Sequence, residues 1–376
     1  MLGTVLTGKS RCKILYEEYI HMKKWKKRLA ECITDPEELS GYFSFDPAPL
    51  KAVAERYPMR ISPHYLGLIH EPWDPIWRQC VPDIRELADD GLQPDPLHEE
   101  ELSPVPGLIH RYPDRVILLA GSVCAVYCRF CMRKRKIGCP VGKGGTRKLD
   151  EAFRYIEEHP AIRDVILSGG DPLLLSDDEL EDILRRLKKI PHVEIVRIGT
   201  RVPVTLPERI TRGLCRMLKK FHPLYVNTHF NHPLEISSES AGACAMLADA
   251  GIPLGNQTVL LKGVNDDGGT MKRLMQKLLM IRVRPYYIHH MDLVRGGGHF
   301  RTDVKKGMSI MDGLRGHTSG MAVPYYVIDA PGGKGKVPIL PDPARFEGDR
   351  LLLRNYLGEE MLYPGAPERE ITAPQE

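Results

Sequence analysis

The sequence has few of the features that mark secreted, membrane-embedded or nucleic-acid-binding proteins. Its 53 lysines and arginines nearly balance its 49 aspartates and glutamates, which leaves a formal net charge of +4 over 376 residues. This small excess argues against a strong polyanion-binding field. No uncharged apolar run reaches the roughly 18 residues of a membrane span, and the N-terminus has no apolar core of signal-peptide length. We therefore expect a cytoplasmic protein that binds neither membrane nor nucleic acid.

Cysteine is also scarce, with nine in the chain and six of them scattered. A disulfide framework is not expected, because cytosolic thiols stay reduced. Three cysteines, however, crowd into the run CAVYCRFC as Cys124, Cys128 and Cys131. A zinc site would need a fourth ligand, and Cys139 lies beyond a basic run. Three thiolates are one short of a complete [4Fe–4S] ligand set, which leaves one iron open to an amine and a carboxylate of a small molecule. We favour the cluster.

The pattern of apolar and charged residues changes near residue 106. The region 1–105 is charged and helical in pattern, whereas from Arg115 onward short apolar runs alternate with amphipathic segments, which is typical of βα units and a parallel sheet. Six strands are expected, at RVILLA, DVILSGG, VEIVRIGT, LYVNTHF, PLGNQTVLL and RPYYIHH. We predict an α/β fold with a partial (β/α)6 TIM-like barrel over 106–322. A C-terminal extension over 323–376 would follow, with an irregular tail after Pro341.

Chemically suggestive residues follow several of these strands, where barrel enzymes place their chemistry. Asp292 and Asp329 each end a strand, and two converging carboxylates repel unless a cation lies between them. Each alone could equally be a helix cap or a loop acid. In PGGKGKVP, glycines would let a planar cofactor approach Lys336, whose amine could condense with an aldehyde. On these residues alone, a mobile loop with solvated lysines is the simpler interpretation.

Longer runs carry a resemblance to a known family. SPVPGLIHRYPDRV, CAVYCRFCMRKR, LSGGDPLL, HVEIVRIGTR, NTHFNHP, LGNQTVLLKGVND, RPYYIHHMDL and DAPGGKGKVP resemble the lysine 2,3-aminomutase family of the radical S-adenosylmethionine superfamily. The likeness extends over roughly residues 20–345. It implies three cofactors, namely a [4Fe–4S] cluster, S-adenosylmethionine and pyridoxal 5'-phosphate.

The resemblance also implies a role for individual residues. The cluster would bind Cys124, Cys128 and Cys131, and pyridoxal phosphate would bind Lys336 covalently, with Arg111, Tyr112 and Arg115 at its phosphate. The residues implied for S-adenosylmethionine are Phe130, Ser168, Gly169, Gly170, Asp171, His229 and Gln257. Arg133 would hold the substrate carboxylate, while Asp292 and Asp329 would hold the side-chain ammonium of lysine.

The implied reaction is the isomerisation of L-lysine to β-lysine by 1,2-amino migration, started by a 5'-deoxyadenosyl radical on substrate joined to pyridoxal phosphate. Two alternatives stay open, namely the branch linked to elongation factor P and a 2,3-aminomutase for arginine or ornithine. The resemblance implies a flavodoxin- or ferredoxin-type electron donor and a homo-oligomer. Lys334 stands where the family usually has glycine, and Asp267 stands where zinc-containing members have cysteine, so no zinc is expected.

Overall fold

The computed structural model describes residues 23–88, 91–138, 149–340, 344–347 and 350–364, so Cys139 lies outside the described residues. A nine-stranded sheet forms the centre of the fold, with its strands in chain order. The strands are β1 Leu108–Tyr112, β2 Arg115–Gly121, β3 Asp164–Gly169, β4 Ile195–Gly199, β5 Leu224–Thr228, β6 Leu254–Leu260, β7 Arg284–His290, β8 Tyr325–Asp329 and β9 Lys336–Pro338.

The helices flank this sheet or precede it. They are α1 Lys24–Ala30, α2 Pro36–Leu39, α3 Ala48–Arg56, α4 Pro63–Leu66, α5 Trp77–Cys80, α6 Asp150–Glu158, α7 Asp177–Lys188, α8 Val202–Thr205, α9 Arg212–Leu218, α10 Ser238–Asp249, α11 Gly268–Met280 and α12 Val304–Leu314. Short 3-10 turns lie at Ile84–Leu87, Pro172–Leu174, Pro207–Arg209, Lys219–Phe221, Pro233–Glu235, Gly298–Phe300, Gly320–Ala322 and Pro331–Gly333. Among the described residues, no helix has the length and apolar character that crossing a bilayer requires.

Strands β2 to β8 are parallel, and each pairs with the next strand along the chain. Antiparallel β1 and β9 flank this parallel set on its two sides. A doubly wound sheet reverses its strand order at a switch point, whereas this order never reverses. The six crossovers therefore confirm the partial (β/α)6 barrel, and β8 and β9 extend its sheet into the glycine loop.

Local sequence explains why these segments fold as they do. In β6, Leu254, Asn256, Thr258 and Leu260 are buried while the residues between them are half-buried, as expected of a strand with different environments on its two faces. Helix α7 begins with a capping box in which Ser176 and Glu179 bond each other's backbone. Its buried residues, Leu180, Ile183, Leu184 and Leu187, follow helical spacing, so one face packs into the core.

The predicted N-terminal helical region is present as short helices that support the barrel. Phe43 and Phe45 pack edge-on against buried Trp77, with ring centroids 5.5 and 5.0 Å away. The backbone N–H groups of Tyr127 and Arg129 donate to carbonyls of this region at 3.0 and 2.9 Å. The N-terminal region therefore contacts the cysteine loop directly.

The described part of the C-terminal tail is not irregular, so that prediction was wrong. Strands β10 Ala344–Glu347, β11 Arg350–Arg354 and β12 Glu360–Pro364 form a second, antiparallel sheet. The turn between β11 and β12 explains the error: the Asn355 side chain accepts from the N–H groups of Leu357 and Glu359, and Gly358 has a φ of 81°. This local turn chemistry favours a hairpin that the proline content of the tail obscured.

Candidate active site

The three clustered cysteines lie in the loop after β2 and line one cavity of about 40 Å³. The N–H of Cys131 donates to the carbonyl of Cys128 at 3.1 Å, which turns the loop back on itself. Burial, together with the neighbouring cysteines, raises the pKa of Cys131 to about 11 and that of Cys124 well above its usual value. Thiols placed this way give up their protons to a metal centre that binds them, so the donor set fits an iron–sulfur cluster.

A buried ion triad holds this loop against the N-terminal region. The Glu86 carboxylate accepts from Arg129 Nη2 at 2.6 Å and from Lys134 Nζ at 2.7 Å. Arg129 Nη1 also donates to the carbonyl of Pro58 at 2.9 Å. Burial alone would raise the pKa of Glu86, but the two cations lower it below its usual range. The sequence analysis missed this triad, whose two basic members lie in the run RFCMRK.

The SGGD turn after β3 packs directly on the cysteine loop. The N–H of Gly170 donates to the carbonyl of Gly121 at 2.5 Å, and a Cβ on Gly170 would lie 2.5 Å from the backbone of Val123. Gly169 has a φ of 118°, and a Cβ there would collide with the carbonyl oxygen of Gly121. Both glycines are therefore required by the approach of two backbones, whatever else binds there.

Asp171, which ends this turn, is buried and already bonded. Its carboxylate accepts from Thr200 Oγ1 at 2.6 Å and from the N–H of Arg201 at 2.7 Å. Burial nevertheless raises its pKa above the usual value. Ser168, at the start of the turn, accepts a hydrogen bond from Arg133 Nη1 at 3.1 Å. Asp171 thus links the turn after β3 to the loop after β4, while Ser168 is bonded to Arg133.

Phe130 and His229 lie together, with ring centroids 5.5 Å apart. His229 Nε2 is 3.1 Å from Asn231 Oδ1, and burial holds the pKa of His229 well below its usual value. Gln257 is half-buried on β6, where it pairs with Tyr287. The structure therefore brings Phe130 and His229 into one cluster of rings, with Gln257 on the neighbouring strand.

Lys336 begins β9, which pairs with β8 at the edge of the sheet, and it lies beside Asp329, the last residue of β8. Its Nζ is 2.9 and 3.0 Å from the two Asp329 oxygens, and its N–H donates to Tyr112 Oη at 2.8 Å. Arg111 Nη1 also donates to Asp329, at 3.1 Å. Burial alone would raise the pKa of Asp329, but the bonds from His289 and Lys336 lower it below its usual range. A lysine amine, an arginine and a tyrosine hydroxyl fit an aldehyde cofactor that carries a phosphate.

Arg115 and Lys334 lie outside this group. Arg115 is 41% exposed, donates to the Asp114 carboxylate at 2.9 Å and lies 4.9 Å from the centroid of the Tyr112 ring. Lys334 is exposed at the end of the glycine turn. The structure thus brings together three of the four residues predicted for pyridoxal phosphate, with Arg115 behind the Tyr112 ring.

Arg133 and Asp292 lie between the cysteine loop and Lys336. Arg133 is held by Glu99, which is 1% exposed and accepts from the guanidinium at 2.6 and 2.9 Å. Burial, reinforced by the nearby Asp329 carboxylate, raises the pKa of Asp292 to about 7. The Lys336 and Arg111 cations lower this pKa only in part. Asp292 is therefore the acid of this site that a cationic ligand would stabilise most.

The sequence analysis did not predict two further residues of this site, His289 and Glu99. His289 Nδ1 is 3.3 Å from Asp329, while its buried Nε2 has no hydrogen-bond partner among the residues that the structure describes. Glu99 lies in the region 1–105, which was predicted only to be charged and helical. A histidine beside the predicted strand end was visible in HHMD, but nothing local to Glu99 indicated its role.

Comparison with known proteins now identifies the family. Residues 118–274 match the radical SAM superfamily model, and residues 311–374 match the lysine-2,3-aminomutase model. An L-lysine 2,3-aminomutase of Clostridium subterminale is 52% identical over 342 residues, which cover 89% of this chain and 82% of that protein. The chain belongs to the lysine 2,3-aminomutase family.

Other members of the family are named for lysine or for glutamate. L-lysine 2,3-aminomutase of Fusobacterium nucleatum is 51% identical, covering 89% of this chain and 80% of that protein. Glutamate 2,3-aminomutase of Clostridioides difficile is 46% identical, covering 94% of this chain and 85% of that protein. Membership of the lysine 2,3-aminomutase family implies the [4Fe–4S] cluster, S-adenosylmethionine and pyridoxal phosphate, and the enzyme is an isomerase.

Proposed function

We propose that this enzyme isomerises L-lysine to β-lysine by moving the α-amino group to the β carbon. The enzymes of Clostridium subterminale and Fusobacterium nucleatum, which are named for lysine, are 52% and 51% identical to the chain, against 46% for the enzyme of Clostridioides difficile named for glutamate. The observation that carries the choice of lysine is the pair of acids Asp292 and Asp329 beside Lys336. An ε-ammonium group between them would relieve their repulsion, whereas a second carboxylate would add to it.

The two ends of the substrate would be held by opposite charges. Glu99 fixes the Arg133 guanidinium, whose Nη1 donates to Ser168. A planar guanidinium held in this way suits a bidentate contact with a carboxylate. A cation that reaches Asp292, whose pKa is raised to about 7, would favour its ionised form. A lysine side chain would therefore bridge the Arg133 side and the Asp292 side of the barrel.

The cofactors would be held by separate groups of residues. We propose that Cys124, Cys128 and Cys131 bind the cluster, that Lys336, Arg111, Tyr112 and Arg115 bind pyridoxal phosphate, and that Phe130, Ser168, Gly169, Gly170, Asp171, His229 and Gln257 surround S-adenosylmethionine. When bound, the cluster and S-adenosylmethionine supply the radical, and pyridoxal phosphate supplies the π system across which nitrogen migrates. The chain's own residues orient these groups and exclude water.

The remaining organisation is proposed on the same basis. The helical region 1–105, the radical barrel 106–322 and the C-terminal extension 323–376 would form one cytoplasmic subunit of a homo-oligomer. A low-potential flavodoxin- or ferredoxin-type protein would donate the electron. Asp267 stands where zinc-containing members of the family have cysteine, which supports the prediction that this enzyme binds no zinc. Its carboxylate instead caps α11 by accepting from the N–H of Thr270 at 2.8 Å.

Anaerobic reconstitution with all three cofactors tests the proposal. The enzyme is incubated under reducing conditions with lysine, glutamate, arginine or ornithine, and free products are separated by chiral chromatography. Release of β-lysine from lysine, with little turnover of the other three, is the expected result. Turnover of glutamate alone would move the enzyme to the other named branch, and no release of a free β-amino acid from lysine would contradict the proposal.

A further inference from the structure

Arg201, in the loop after β4, makes a contact that the reaction described so far does not use. Its Nη1 lies 2.8 Å from the Sγ of Cys128, the middle cysteine of the cluster loop. The residue is 8% exposed, so this contact is shielded from water. A guanidinium N–H directed at a cluster-binding sulfur donates to the thiolate and counters its charge.

The guanidinium is fixed independently of the cysteine. Its Nη2 donates to Glu235 Oε1 and Gln79 Oε1, both at 2.6 Å, and to Tyr65 Oη at 2.9 Å. Its Nε donates to the carbonyl of His229 at 3.2 Å. These bonds leave Nη1 as the nitrogen that faces Cys128, so the orientation is built into the fold.

The surroundings favour a strong effect at Cys128. Glu235 is 0% exposed and balances the arginine charge from the far side, which lets Arg201 remain buried and protonated. The Phe130 ring lies 5.4 Å from the guanidinium carbon and packs beside the same loop. In such a low-dielectric setting, a hydrogen bond to sulfur is stronger than it would be in water.

We propose that Arg201 is a positioning residue that sets the reduction potential of the cluster through its hydrogen bond to the Cys128 sulfur. Accepting one electron takes the cluster from the 2+ to the 1+ state and adds negative charge to its sulfurs, which the guanidinium stabilises. The proton stays on Arg201 throughout. Tyr65 and Gln79 extend this influence to the N-terminal region, which would thereby tune the cluster as well as support its loop.

The test compares reconstituted Arg201→Lys with the unmodified enzyme by EPR-monitored redox titration, using dithionite as the reductant and no substrate. Lysine keeps the positive charge but lacks the planar guanidinium that directs an N–H at the Cys128 sulfur. We expect the reduction equilibrium to fall at least tenfold, which corresponds to about 59 mV toward more negative potential. Tyr65→Phe removes one of the hydrogen bonds that orient the Arg201 guanidinium. This variant should also shift the potential to a more negative value, but by less than Arg201→Lys does.

Arg209→Lys is the matched control. Arg209 is also fully buried, and its Nε donates to the carbonyl of Leu173 at 2.5 Å, but it contacts no clustered cysteine. Its variant should titrate like the unmodified enzyme. An unchanged potential in Arg201→Lys, or an equal shift in both arginine variants, would overturn the proposal, as would weaker binding of S-adenosylmethionine at an unchanged potential.

The inference rests on the proposed cluster position, and the experiment separates the two. If the unmodified enzyme takes up no iron, the cluster position is wrong. If it loads a cluster and Arg201→Lys does not, the Tyr65→Phe titration decides: a negative shift supports the role of Arg201, and no shift contradicts it.

Discussion

The cysteine loop and the strand ends near Lys336 differ in how completely their buried charges are balanced. Around the cysteine loop, buried charges satisfy one another, since Glu86 pairs with Arg129 and Lys134, and Glu235 pairs with Arg201. Near Lys336, Asp329 is paired in the same way with Lys336 and Arg111, but Asp292, just after β7, keeps a pKa raised to about 7. The difference indicates that the charges around the cysteine loop, called here the cluster side, are balanced by the protein itself, whereas on the side of Asp292 and Lys336, the proposed substrate side, one acid would be balanced by a bound cation.

Removing a cysteine should break the cluster side completely. Cys128→Ser is expected to leave too few thiolates for a stable cluster, so iron content, the cluster's visible absorption and lysine isomerisation should all be lost. Cys244→Ser is the control, because Cys244 is a buried cysteine on α10, away from the cluster loop. Iron uptake by Cys128→Ser equal to that of the unmodified enzyme would contradict the proposed ligand set.

Replacing Lys336, the proposed Schiff-base lysine of the glycine loop, should prevent pyridoxal phosphate from binding covalently. Lys336→Ala is expected to abolish the absorption band between roughly 360 and 430 nm that borohydride reduces, since no amine remains to condense with the aldehyde. Lys334→Ala, two residues away and exposed, should keep the band. Loss of the band in Lys334→Ala but not in Lys336→Ala would reverse the assignment.

The sequence predicted the residues on both sides that lie in contiguous runs. The cysteines, Lys336 and the strand-end acids could be found because their neighbours in the chain carry the pattern. Glu86 and Glu99 could not, because each acts through partners 34 to 48 residues away that only the packing of the N-terminal region brings close. Arg201 stood in a recognised run, but its contact with Cys128 crosses 73 residues.

The barrel was predictable for a similar reason, since alternating βα segments can close in few ways. What the sequence did not reveal is which polar groups neutralise one another, because that depends on strand register and loop placement. Asp171 illustrates this: the resemblance implied a contact with S-adenosylmethionine, while the structure shows a carboxylate bonded to Thr200 and to the backbone of Arg201.

Breaking the ion triad should destabilise the fold by a measurable amount. Glu86→Gln leaves Arg129 and Lys134 buried without their anion, which is expected to lower the free energy of unfolding by about 3–5 kcal/mol in denaturant titrations. Glu194→Gln is the comparison, because its ion pair with Arg163 is more than half exposed on both sides, so that its loss should change the stability far less. Equal losses would show that the triad has no special role.

The smallest effect, and the sharpest for the comparison, concerns Asp292 and pH. Burial raises its folded pKa to about 7, above the usual value of 3.8, so the folded protein binds more protons than the unfolded chain between those values. Stability of the unliganded enzyme should therefore fall as pH rises from about 4 to 7. Asp292→Asn cannot ionise, so it is expected to be more stable than the unmodified protein at pH 8, by on the order of 1–3 kcal/mol.

Lysine binding should show the opposite dependence at the same group. The carboxylate attracts the ε-ammonium only when ionised, so the KM for lysine should rise as pH falls below about 7, and Asp292→Asn should bind lysine weakly at every pH. Asp303→Asn, at the cap of α12, provides a carboxyl substitution away from the site. A variant that loses lysine affinity while gaining stability would show that this acid is kept for the ligand. If both properties stay unchanged, the substrate side is as self-contained as the cluster side.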